Sequence, residues 1–341
     1  MHAHVTAAAL DPETFSNAVS RHLQIPNGLD GPLHTTFRAL VERCFTTERM
    51  TALEPAIHQV AADLTAQLAV PGPIDAVAVG SRFAVRAQTS WLGWPAELED
   101  VLLEWMHHHR AAARSRDRSR TAAVAQQFDT IIRSLIDLRR AAGGDAPDDV
   151  TTDLVHGRLE GRELADEEIV SILRNWTGGD LGSMALCAGV VLTYLADHPD
   201  LQARMRSGVS DREFEAILDE ILRIDDPFVA NRRITTEPVT VGGRRFAAGE
   251  QDLLNWTAAN RDPRMFGDPD AFDPVGNAPY NLVYGIGKHV CPGRPLATLE
   301  LRALTRAVLD ATTMIEADPG RTRERELPPA GGFATAPLWL R

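Results

Sequence analysis

Apolar residues along this chain recur mostly at three- and four-residue intervals, the period of a helix that turns one face to a core. Leu296, Leu299, Ala303, Leu304, Ala307 and Val308 form the clearest run and predict a helix over 296–309. Comparable patterns predict helices over 11–21, from about 33 onward, 46–68, 78–92, 95–114, 118–142 and 211–224. A longer one is predicted over 165–196, ending before His198-Pro199. Glycine and proline mark loops at 25–32 and 143–147, Asp148-Asp149 offers a cap for the helix that follows, and the polar run 115–120 separates two helices. Strand signals are few: a hairpin over 239–246 turning at Gly242-Gly243, and a strand over 252–256. The pattern predicts a mainly α protein with a small β portion.

Composition narrows this little. With 341 residues and 44% hydrophobic content the chain can bury a large core. No linker, repeat or abrupt compositional change divides it, so residues 1–341 are expected to form one domain. The net charge of -12 argues against nucleic acid as a partner. Cys44, Cys187 and Cys291 are odd in number and lack paired spacing, which points to a reducing compartment, the cytoplasm. The first residues lack the pattern of a signal peptide, and no uninterrupted apolar run reaches about 18 residues, so no membrane anchor is expected.

Candidate chemistry concentrates in Tyr284-Gly285-Ile286-Gly287-Lys288-His289-Val290-Cys291-Pro292-Gly293-Arg294-Pro295-Leu296-Ala297. Gly285 and Gly287 permit a tight loop, and Pro292 suits the first turn of the helix that follows. Cys291 would then face the positive end of that helix, with Lys288 and His289 adding charge, a setting that favours the thiolate and metal ligation. A buried, inert cysteine is the usual alternative. His107, His108 and His109 carry no such promise, because adjacent residues on a helix point about 100° apart.

The cysteine stretch fits F-G-x-G-x-H-x-C-x-G-x-x-L-A at every fixed position except the first, where Tyr284 stands. In this the chain resembles the cytochrome P450 family. The resemblance implies haem b (iron protoporphyrin IX), with Cys291 as the proximal iron ligand and Tyr284, Gly285, His289 and Gly293 shaping its loop. It also implies that His34 and Arg38, one helical turn apart, and Arg233 meet the haem propionates. Glu220 and Arg223 would form the family's buried ion pair; its usual third member is replaced here by Ala271.

Thr177-Gly178-Gly179-Asp180-Leu181-Gly182-Ser183 interrupts the long helix with glycines that cost about 1 kcal/mol each relative to alanine. Either close helix packing or the approach of a flat cofactor would explain them, and the resemblance favours the cofactor, at Gly179. The family pattern [AG]-G-x-[DE]-T departs here. One alignment puts Gly182 at the acid and Ser183 at the alcohol, while the other puts Leu181 and Gly182 there. Ser183 is therefore expected to hold the catalytic hydroxyl, with Asp180 as the only nearby acid. Leu29, Thr177, Phe228, Val229 and Phe333 are expected to line the substrate pocket.

The resemblance implies a soluble bacterial-type monooxygenase acting on a small hydrophobic substrate. Electrons would come from ferredoxin and ferredoxin reductase, since no flavin or nicotinamide fingerprint is present. The displaced acid keeps a peroxide-driven or oxidative-coupling enzyme in view. A degenerate, partner-binding member is a third reading. Relative to the family the chain is expected to be shortened at its N-terminus, leaving a sheet edge that could pair two copies.

Overall fold

The computed structural model describes residues 1–115 and 117–341. Its helices are α1 (His2–Leu10), α2 (Gly31–Glu42), α3 (Thr47–Thr65), α4 (Ala76–Leu92), α5 (Glu99–Ser115), α6 (Arg118–Ala142), α7 (Val150–Val155), α8 (Asp166–Asp197), α9 (Pro199–Arg206), α10 (Asp211–Ile224), α11 (Trp256–Asn260), α12 (Pro263–Phe266) and α13 (Arg294–Asp310). Strands β1 (Phe15–Ser16), β5 (Ala230–Thr235) and β8 (Gln251–Asn255) make one antiparallel sheet in the order β1-β5-β8. A second sheet orders β2 (Gly72–Asp75), β12 (Pro337–Leu340) and β9 (Ile315–Ala317). The other strands pair as hairpins or ribbons: β3 (Arg158–Leu159) with β4 (Arg162–Glu163), β6 (Val239–Val241) with β7 (Arg244–Phe246), and β10 (Glu324–Arg325) with β11 (Phe333–Thr335). Mainly helical with small sheets, this is the architecture the pattern implied.

Helix α8 is the axis on which the rest is laid. Asp166, Glu167 and Glu168 in its first turn complement the helix dipole, and Glu168 accepts the Ala165 N–H at 2.8 Å. It is long and apolar enough to span a bilayer, yet most of that apolar stretch is buried inside the protein, as expected of a core helix. Helix α4 crosses it at close range. A Cβ at Gly80 would lie 2.5 Å from Ala188 Cβ, and one at Gly189 would lie 2.7 Å from Val77 Cγ2. Gly80→Ala is therefore expected to overpack this crossing and destabilise the protein by about 1–3 kcal/mol, read as a lower urea midpoint at unchanged slope.

The structure corrects the expected order at the N-terminus. Residues 11–21 are not a helix: α1 precedes them, with Val5, Ala8 and Ala9 buried, and Asp11-Pro12 ends it. Asp11 Oδ1 accepts the Thr14 N–H at 3.1 Å and so caps a turn into β1. In the polar run 115–120, Arg116 lies outside the described residues. The Asp149 side chain caps α7 by accepting the Thr152 N–H at 2.8 Å, and Gly242 (φ 57°) and Gly243 (φ 83°) turn the β6–β7 hairpin.

Candidate active site

The cysteine loop is closed by the Cys291 N–H donating to Tyr284 O at 2.9 Å, with Gly285 (φ 71°) and Gly287 (φ 77°) in the left-handed region. Helix α13 begins later than Pro292 suggests: Gly293 is its cap and Pro295 sits in its first turn. A Cβ on Gly293 would lie 3.9 Å from Cys291 Sγ and 3.7 Å from the Phe45 ring. Arg294 lies over the Tyr284 ring, 4.8 Å from its centroid. Cys291 keeps accessible surface although it is enveloped by protein, so the sulfur stands on the wall of an internal cleft.

The electrostatics of that sulfur differ from expectation. Burial is the larger effect and pushes the thiol pKa up, against the N–H groups of Gly293 and Arg294 and the charge of Arg38. Lys288 and His289 are engaged with groups other than the sulfur. Lys288 Nζ donates to Gly31 O at 2.9 Å, and burial together with neighbouring His34 and Arg233 pushes His289 toward its neutral form.

Beside the loop lies a group of basic side chains. His34 is 1% exposed, its ring centroid is 4.2 Å from that of His289, and neither of its nitrogens has a partner. His289 Nε2 reaches only to 3.4 Å from Asp30 Oδ1. Arg38 Nη1 donates to Val290 O at 2.6 Å and its Nε to Glu42 at 2.7 Å, which ties α2 to the cysteine loop. Arg233 is 6% exposed, and the one hydrogen bond found for its guanidinium among the described residues runs to Arg232 O at 2.8 Å. Burial lowers the pKa values of both His34 and Arg233. His34 and Arg233, buried donors without a carboxylate partner, suit a group that brings its own anions, as two propionates would.

Close helix packing does not account for the glycines of α8 at 178–182. Cβ atoms at Gly179 and Gly182 would meet nothing within 4 Å, and one at Gly178 only Trp105 at 3.7 Å. Helix packing is the task of Gly80 and Gly189, whereas Gly179 and Gly182 border open space. Ser183 is half-buried next to Gly182. Asp180 lies close enough to Cys291 for its charge to bear on the thiol. Its Oδ2 is enclosed and unpartnered, and burial raises the carboxyl pKa. Thr177, fully buried, donates to Leu173 O at 2.8 Å.

The loop carrying Leu29 is fastened to the N-terminal half of α8. The Ile25 N–H donates to Ser171 Oγ at 2.8 Å, Asn175 Nδ2 to Ile25 O at 2.9 Å, and Arg174 Nη2 to Leu23 O at 2.9 Å. Arg174 also grips Asp129 of α6 at 2.7 Å. Phe228 and Val229 sit half-buried just before β5. Phe333 departs from expectation: its ring lies under Arg325 and lines a different cleft of about 560 Å³ with Thr193, Tyr194 and Asp226. It is Gly332 that abuts α8, at Val190 and Leu186.

The segment leading to Phe228 is set by Asp226, whose carboxylate accepts the Phe228 N–H at 2.8 Å and Asn260 Nδ2 at 2.9 Å. Burial nevertheless pushes its pKa up to about 7. A carboxyl whose folded pKa exceeds its unfolded value of about 3.9 favours the folded state at low pH, and that contribution is lost as pH rises through about 7. Urea midpoints should therefore fall between about pH 4 and about pH 7 in the wild type, and the decline should be shallower in Asp226→Asn.

The Glu220–Arg223 pair forms as expected, with Arg223 Nε to Glu220 Oε2 at 2.7 Å, and its partners replace the missing third member. Arg223 donates to the carbonyls of Asn260, Pro269 and Ala271, and Glu220 Oε1 accepts from the Asp273 N–H and from Asn277 Nδ2. His107, His108 and His109 lie exposed along α5, and among the described residues no cluster of three metal-ligating side chains occurs. Sequence reasoning missed Glu300, wholly buried on α13. Its place between Leu296 and Leu304, four residues from each on the apolar face, was the available signal.

A mainly helical fold with a cysteine loop under a glycine-bearing central helix defines a haem-thiolate type of oxidoreductase. The cytochrome P450 family profile matches residues 102–337. Cyclomarin C epoxidase CymV of Salinispora arenicola is 31% identical over 331 residues, covering 92% of this chain and 82% of that protein. The 6-deoxyerythronolide B hydroxylase of Saccharopolyspora erythraea is 31% identical over 289 residues, covering 82% and 68%. A mutant of P450 EryK solved in complex with erythromycin B superposes with a TM-score of 0.88 at 26% identity, over 99% of this chain and 89% of that one. The chain belongs to the cytochrome P450 family: it is a P450 monooxygenase, and the family's cofactor is haem b.

Proposed function

We propose that the chain inserts one oxygen atom from O2 into a hydrophobic product of secondary metabolism, in the cytoplasm, with electrons from a ferredoxin and its reductase. The substrate class is suggested by relatives named for cyclomarin C and 6-deoxyerythronolide B. The observation that carries the reading is the accessible yet enveloped Cys291 sulfur, within range of the Asp180 charge on a helix whose face is left open at Gly179 and Gly182.

In this reading Cys291 Sγ would ligate the iron, and His34, Arg38, Arg233 and His289 would hold the propionates. Haem bound there supplies electron transfer and oxygen activation, with the positive iron offsetting the burial that raises the thiol pKa. Tyr284, Gly285 and Gly293 hold the sulfur at fixed depth. Ser183 orients a water or accepts a hydrogen bond in the cleft, and Asp180 supplies acid from one turn earlier on α8. Leu29, Phe228 and Val229 exclude water around the substrate, and the enclosed Thr177 keeps the helix intact beside it.

Carbon monoxide added to the reduced protein should give the red-shifted Soret band of thiolate ligation, and its absence would refute the ligand assignment. Turnover with ferredoxin, reductase and NADPH but not with peroxide alone is expected; the reverse would establish the peroxide-driven alternative. Spectral shifts on binding, screened across compound classes, then identify the substrate.

A further inference from the structure

We infer that the cleft between α4, α5 and β11 is a second binding site, which takes a small apolar molecule ending in a single carboxylate, with the Arg110 guanidinium as its anchor. The site lies apart from the haem reading and does not depend on it.

The cleft holds about 320 Å³, roughly twice the volume that accommodates benzene in an engineered core. It shares no lining residue with the cysteine loop, with α8 or with the loop at 23–29. Val77, Ala78, Leu103 and Met106 give it apolar walls. Arg110 crosses it from α5 to α4, where Nη2 donates to Ser81 Oγ at 3.1 Å, and Ser81 Oγ in turn donates to Val77 O at 2.8 Å. That is the one hydrogen bond found for the Arg110 guanidinium among the described residues. The nearby carboxylates are all committed elsewhere. Asp75 Oδ1 accepts the N–H groups of Val77 and Ala78, Glu99 is held by Arg86 at 2.9 Å, and Glu326 by Arg114 at 2.6 Å. Burial therefore lowers the pKa of Arg110, and the more distant charges of Glu326 and Asp75 do not offset it.

A guanidinium withdrawn from water with one neutral partner carries the signature that Arg233 shows where a propionate is expected. Such a cation is costly alone, and an anion that brings its own apolar body relieves the cost while filling the walls. The planar fork of donors matches a carboxylate. Asp75, half-buried on the rim, disfavours a dianion such as phosphate, whereas a monoanion also gains from Arg82, whose own carboxylate, Glu99, stands 3.5 Å away and is shared with Arg86. A bare inorganic anion would leave the walls wet. An occupant would fasten α5 to α4 and add to the hold that Arg114, one turn further on α5, has on Glu326.

The test is titration calorimetry of the haem-loaded protein with phenylbutyrate, with the Soret band followed in parallel. One-site binding that leaves the Soret band unmoved is expected, and the uncharged phenylbutanamide should bind about tenfold more weakly or worse. Arg110→Gln should weaken phenylbutyrate by about tenfold or more, and Arg110→Lys, which keeps the charge without the fork, should restore part of the affinity. Ala78→Phe, at an exposed position on the cleft wall, should block binding with Arg110 intact, and it carries the test should Arg110→Gln fail to fold. No binding at millimolar phenylbutyrate, equal affinity in wild type and Arg110→Gln, or phosphate binding as tightly as phenylbutyrate would each overturn the proposal. So would a Soret shift that saturates with the calorimetric signal, which would place the ligand in the cysteine cleft. Failure of the Cys291 assignment is recognised separately by the carbon monoxide spectrum and leaves the calorimetric result standing.

Discussion

Cys291→Ala is expected to abolish the red-shifted carbon monoxide band and lower product formation at least about a thousandfold, ~4 kcal/mol of transition-state stabilisation. The fold should survive. Cys291 carries accessible surface and no core packing, and its backbone N–H, which closes the loop to Tyr284 O, is retained in alanine. Haem content and the urea midpoint, measured beside activity, separate loss of ligation from loss of structure. A variant that kept the thiolate band would mean that another group holds the iron.

Arg223→Ala should be the most destabilising single change among the ion pairs, by about 3–5 kcal/mol. Arg223 and Glu220 are 0% and 2% exposed at the side chain, so removal of one leaves a buried charge. A buried pair can often be replaced by two apolar residues at little cost. Here it should not be so. The carbonyls of Asn260, Pro269 and Ala271, the Asp273 N–H and the Asn277 amide would all lose a partner, each worth about 1–3 kcal/mol when left unsatisfied. The double variant Glu220→Leu/Arg223→Leu should therefore remain destabilised in urea unfolding. It should also bind haem poorly, because the braced stretch runs directly into the cysteine loop.

The long helices were legible in the sequence because each repeats its apolar period over many turns: α6 and α10 fall where the pattern places them, and α8 and α13 within a residue or two. The start of the chain was misread because Asp-Pro serves equally to open a helix and to end one, and only the packing of Val5, Ala8 and Ala9 decides between them. The site divides along similar lines. Cys291, His34 and Arg38 stand in local patterns that the sequence displays. The ion-pair partners Asn277 and Asp273 act through one side-chain amide and one backbone N–H, neither of which has a sequence signature. Glu300 was overlooked because a glutamate on a helix is ordinarily solvated, and its burial follows only from what α8 lays over it. Phe333 was drawn toward the cleft by the glycine turn before it, but the turn itself makes the approach and the ring swings to the other side.

Arg174 joins α6 to the loop at 23–29 through one guanidinium. Admission of a bulky guest by lifting the loop consequently has to break the bonds that Ser171, Arg174 and Asn175 make to it, and Asp129 holds Arg174 in place for that grip. Guest exchange in this protein is thereby set by a latch of three side chains on about one turn and a half of helix, and loosening its arginine through Asp129→Asn would hasten both entry and escape without altering the chamber they lead to.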